Sequence, residues 1–171
     1  GLLGALVLIL LRQPRPQRAD LLPLAVTALG VVIGFPLLTA LALQHISSAH
    51  SIVFVGLLPL CTAGFAVLRG GERPRPLFWL FSFAGAGLVA GYALLNGAEA
   101  SASGDLLMLA AVLVCGLGYA EGARLSRKLG GWQVISWALM LSLPLMLLTR
   151  QVERKRAEAE AAQHAQRTAD D

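Results

Sequence analysis

Ser51–Leu68 reads SIVFVGLLPLCTAGFAVL, a run without one charged side chain, and RGGERPRP follows at once over 69–76. A helix of that length covers a hydrocarbon core of roughly 30 Å. The run is apolar on every face, which argues against an amphipathic helix of a soluble bundle. Working outward, the pattern repeats at Leu21–Leu43, Leu77–Leu95, Asp105–Ala123 and the shorter Val134–Leu148, while Gly1–Leu11 is a brief apolar opening. No alternating stretch competes as a strand. The expectation is an all-α, polytopic transmembrane helix bundle with about five full spans and a partial N-terminal one.

The charges punctuate these runs. Lys and Arg bunch at Arg12/Arg15/Arg18, Arg69/Arg73/Arg75, Arg124/Arg127/Lys128 and from Arg150 onward, whereas Gln44–His50 and Asn96–Gly104 hold none. Basic loops stay on the cytoplasmic side. Loops 12–20, 69–76 and 124–131 are therefore expected to be cytoplasmic, in a multi-pass protein of the cell (inner) membrane. Charged residues make up 14% of the chain, against roughly 25% in soluble domains. The net charge of +4 sits in short loops with no stripe that could track phosphates, so the bilayer is the expected partner and nucleic acid is not.

The last cluster breaks the alternation. Val134–Leu148 should end outside, yet Arg150, Arg154, Lys155 and Arg156 follow directly. Residues 149–171 read as a charged tail, helical or disordered, with Arg154–Glu158 and Arg156–Glu160 at i,i+4 spacing. Either the tail is foreign to that position or the last apolar segment does not cross.

Within the spans, Gly30/Gly34, Gly87/Gly91 and Gly118/Gly122 are G-x-x-x-G pairs, the spacing that lets helices approach closely in lipid. Pro36, Pro59 and Pro144 lie inside apolar runs and predict kinks, with the Pro59 helix the most flexible because Gly56 and Gly64 flank it. Glu121 is the one acid embedded beyond a first turn. The bland reading pairs it with Arg124 at i,i+3; the functional one makes it a proton- or cation-binding group at the inner mouth. His45 and His50 flank the Gln44–His50 turn and read as solvated loop residues, with no metal set around them. Ser103 or Asp105 is the expected N-cap of the following helix. Tyr92, Tyr119 and Trp137 carry polar handles inside apolar runs. Cys61 and Cys115 read as packing thiols. No nucleophile elbow and no phosphate-binding glycine loop occurs, so neither an enzyme nor a cofactor or metal site is expected.

Several features combine. Ser47-Ser48-Ala49 enters a helix carrying Leu58-Pro59-Leu60, and a Gly71-Glu72-Arg73 turn closes that helix. Trp79 and Gly85/Gly87 follow, and Gly104-Asp105-Leu106 opens a unit ending in Arg124–Lys128. Over about residues 21–131 this resembles the EamA-type transporters of the drug/metabolite transporter superfamily. The resemblance implies part of a ten-helix protein built from two inverted five-helix repeats. Residues 1–95 would be most of the first repeat (helices 2–5), and 104–148 the start of the second (helices 6–7). On that template the first helix and the last three are missing, and a truncated or frame-shifted product would explain both ends. The implied function is alternating-access, secondary active transport of small metabolites or drugs, with Thr39, Pro59, Thr62, Tyr119 and Glu121 as substrate-cavity candidates. The alternative is a non-transporting membrane fragment or assembly module that packs, or forms a homodimer, through its glycine faces.

Overall fold

Every apolar run becomes a helix in the computed structural model, which describes residues 2–10, 15–95 and 101–170. Among the described residues six helices follow in chain order: α1 (Leu2–Leu10), α2 (Arg18–Ala42), α3 (Ser48–Gly70), α4 (Pro76–Leu95), α5 (Ala102–Leu129) and α6 (Gly131–Asp170). No strand occurs among the described residues. Among the described residues four stretches are long and apolar enough to cross a membrane: α2, α3, α5 and Gly131–Leu148 of α6. The fifth expected span falls on α4, whose 20 residues Pro76–Leu95 carry no charged side chain. The loop 96–100 and residues 11–14, with Arg12, lie outside the described residues.

Two helices are irregular at mid-length, and the sequence supplies the reason. In α2 the seven residues Ala28–Gly34 form a π-helix, with the Phe35 N–H donating to the Gly30 carbonyl. Pro36 has no N–H to continue an α ladder through that level, and it falls in the first turn of the resumed α segment, where the missing donor costs least. In α3 the helix breaks at Leu57, and Pro59 sits just beyond, again in a first turn. The Ser47 hydroxyl caps α3 by accepting from the His50 N–H at 3.2 Å, so the helix begins three residues earlier than the apolar run. Gly71, at φ 63°, ends it. Only a residue without a Cβ adopts that left-handed cap at no steric cost.

Asp105 is not a cap. Helix α5 starts at Ala102 after Ser101, and Asp105 lies in its first turn. At the other end of the chain the tail continues the last span as one helix, Gly131–Asp170.

Helix α5 is the hub. Helices α2, α3 and α6 all pack against it, whereas no extensive packing joins α2 directly to α3. Although α2 and α3 are linked by a short turn, α5 is wedged between them. Helix α6 covers α2 and α5 and carries α1 on its outer side, and α4 rests on α3. One apolar cluster (Leu24, Ala28, Leu125, Val134, Ala138) fills the α2/α5/α6 junction. A second (Ala42, Ile46, Met108, with Phe54 against it) closes the opposite end.

Candidate functional site

Glycine sets how close the helices come. At Gly30 a Cβ would collide with the Val114 carbonyl of α5, and at Gly118 it would lie 2.9 Å from Val31 of α2. Gly122 faces Thr27, whose hydroxyl donates to the Gly118 carbonyl at 3.2 Å and to Pro23 O at 3.0 Å. A Cβ at Gly34 would lie 2.7 Å from Leu29 O of its own helix, a consequence of the π register. The Gly30/Gly34 and Gly118/Gly122 pairs therefore face one another across the α2/α5 seam. Gly87 and Gly91 have no described atom within 4 Å of where a Cβ would stand, so no described partner fills that face of α4. Gly116, which the spacing argument passes over, seats α5 against α3: its Cβ position is 3.0 Å from Cys61 Cβ.

Two grooves flank α5. The first, about 740 Å³, lies between α3 and α5 and is lined by Pro59, Thr62, Phe78 and Tyr119, with Glu72 and Arg73 at one end. The second, about 610 Å³, lies on the α2/α6 side and is lined by Thr27, Pro36, Tyr119 and Val134. Tyr119 borders both. Three of the five cavity candidates thus meet in the first groove. Thr39 and Glu121 line neither of these two. Thr39 carries a buried hydroxyl with no partner among the described residues.

Glu121 is instead the centre of an ion cluster, fully buried. Arg69 of α3 reaches its Oε1 through Nε at 2.7 Å and Nη2 at 2.6 Å, and Arg124 lies 2.9 Å from Oε2. That last pair is close without the alignment of a hydrogen bond. Around it, Arg127 pairs with Glu72 and Lys128 with Asp20 at 2.7 Å. These bonds draw the ends of α2, α3 and α5 together, so the basic segments at 18–20, 69–75 and 124–128 share one end of the bundle. Arg124 is visible to a local spacing rule. Arg69 is 52 residues away, and nothing in the sequence names it.

At the opposite end His50 is buried, and its Nε2 lies 2.7 Å from Asp105 Oδ1. The reading of His50 as a solvated turn residue is wrong for two reasons. Ser47 capping pulls it into the helix, and the first turn of α5 packs across it. A Cβ at Gly104 would lie 2.5 Å from Ile46 Cγ2, which shows how tightly these turns abut. Among the described residues no group of three potential metal ligands assembles.

The comparisons with known proteins agree with this architecture. The EamA-like transporter family matches residues 1–96. A protein of Bacillus subtilis (strain 168) named "Uncharacterized transporter YdeK" is 68% identical over 147 residues, which cover 86% of this chain and 51% of the relative. The chain thus spans about half the length of the relative it matches. No solved structure matches it. The family match extends over more than half of an all-helical chain with four membrane-length helices, and on that ground this chain belongs to the EamA-like transporter family.

Proposed function

We propose that the groove between α3 and α5 forms part of the substrate path of a secondary carrier for small metabolites or drugs. The observation that supports it most is the position of Tyr119, which borders a groove on either side of the central helix. An apolar wall with a few hydroxyls, here Thr62 and Tyr119, suits a solute that is largely apolar and is oriented by one or two hydrogen bonds. Alternating access needs helices that bend. The π stretch of α2 and the break at Leu57 of α3 lie at mid-span on the two helices that grip α5, and broken helices line transporter cavities. In this reading residues 1–95 belong to a first repeat and 104–148 open a second, the basic end faces the cytoplasm of a cell-membrane carrier, and an ion or solute gradient drives the cycle. Glu121 then holds helices together rather than facing the solute.

Proteoliposomes containing the chain and challenged with a panel of radiolabelled metabolites test this. Solute uptake that falls at least about tenfold in Thr62→Leu, which fills the groove, and stays unchanged in Tyr92→Phe on α4, supports the path. Uptake that is indifferent to Thr62→Leu rules the groove out. No uptake of any solute would favour the non-transporting module.

A further inference from the structure

Glu121 carries one negative charge and is met by two arginines. One would neutralise it, so the three side chains together bear a net positive charge at a buried anchor. Each arginine side chain remains about half exposed, 53% for Arg69 and 44% for Arg124. They stand where α3 and α5 leave their apolar stretches for the basic segments, and basic residues flanking a span meet the headgroup region. The neighbouring acids do not cancel this charge, because Glu72 is taken by Arg127 and Asp20 by Lys128. Over 18–20, 69–75 and 121–128 there are seven basic side chains and three acidic ones.

Geometry adds to charge. Flexible lysines would attract anions diffusely. Here Arg69 is hydrogen-bonded to one oxygen of a buried carboxylate and Arg124 lies against the other, so both guanidinium groups are drawn to one anchor, and their planar donor forks match phosphate oxygens. Basic pockets between spanning helices bind anionic lipid headgroups, at about 1 kcal/mol for each Lys or Arg near the surface.

We propose that Arg69 and Arg124, held side by side by Glu121, bind the phosphate of an anionic phospholipid headgroup at the basic end of the bundle. Glu121 acts as a positioning residue: it touches no lipid and fixes the two groups that do. The assignment needs only a membrane-embedded chain, so it stands or falls apart from the transport path.

The test is native mass spectrometry of the full chain released from nanodiscs of mixed phosphatidylglycerol and phosphatidylcholine. Wild type should retain phosphatidylglycerol with a preference of roughly twenty-five-fold, about fivefold for each arginine. The triple variant Arg69→Gln/Arg124→Gln/Glu121→Gln leaves no buried unpaired charge and so keeps the fold, and its preference should fall close to parity. Arg73→Gln/Arg75→Gln removes more net charge from the same end and should lose no more than a few-fold. If the second variant loses as much as the first, or the first loses nothing, general attraction explains the binding and the site is refuted. Arg69→Lys/Arg124→Lys keeps charge and packing but loses the forks. Full retention there refutes the two-arginine geometry, and a several-fold loss supports it. Displacement of the lipid by millimolar glycerol 3-phosphate would reassign the site to a free phosphate ester and overturn the lipid proposal.

Discussion

Gly30 has no room for a methyl group, since the Val114 carbonyl occupies the space. Gly30→Ala must push α2 from α5 and should cost roughly 1–3 kcal/mol, read as a lower Tm in detergent by tryptophan fluorescence. Gly91→Ala meets open space and should stay within about 0.5 kcal/mol of wild type. Identical spacing thus has different consequences in two helices, because G-x-x-x-G states what a helix permits and not which neighbour uses it. Glu121 teaches the same lesson. As the lone embedded acid it stood out in the sequence, and its i,i+3 partner could be read locally. The contact with Arg69 depends on which helices are adjacent, information that single-residue chemistry lacks. Arg69→Gln removes the hydrogen-bonded partner of the buried carboxylate but leaves Arg124 to neutralise it, and should cost about 1–3 kcal/mol. Adding Glu121→Gln should recover part of that loss, and a double variant less stable than the single would contradict the anchor described here.

At the scale of elements, spans and turns were legible because length and apolarity alone decide them. Boundaries were not, and Ser47 shows why: a capping hydroxyl recruits Ser48, Ala49 and His50, polar enough to look like loop, into α3. The wedge position of α5 does leave a trace in its sequence. Cys115-Gly-Leu-Gly118 places two glycines two residues apart, about 200° around a helix axis. Close approach is therefore allowed on opposite faces, and Gly116 and Gly118 do receive α3 and α2 respectively. The π stretch left no such trace beyond Pro36. Deleting Ile33 would replace the wide π turn with an α turn and remove the backbone that sets Gly30 against Val114 of α5. A loss of stability larger than that of Gly30→Ala is expected from chemical denaturation in mixed micelles. An equal or smaller loss would mean that the π register does not set the seam.

For the whole molecule, charge distribution was the most informative sequence property. It grouped three basic segments on one side, and ion pairs tie those segments into one end of the bundle. Which side of the membrane that end faces can be measured. In a background of Cys61→Ala and Cys115→Ala, an impermeant maleimide added to intact cells should label His45→Cys and spare Arg73→Cys; the reverse pattern would invert the topology. The arrangement of helices around α5 also bears on how the protein is born. Helices α2 and α3 leave the ribosome before α5, and that helix, which separates and holds them, is complete only at Leu129. At roughly 5–20 residues per second, the 59 residues after Gly70 take about 3–12 s. During that wait the faces bearing Gly30 and Cys61 meet lipid alone. The interval in which membrane quality-control proteases find an unassembled substrate is therefore set by how far along the chain α5 is encoded.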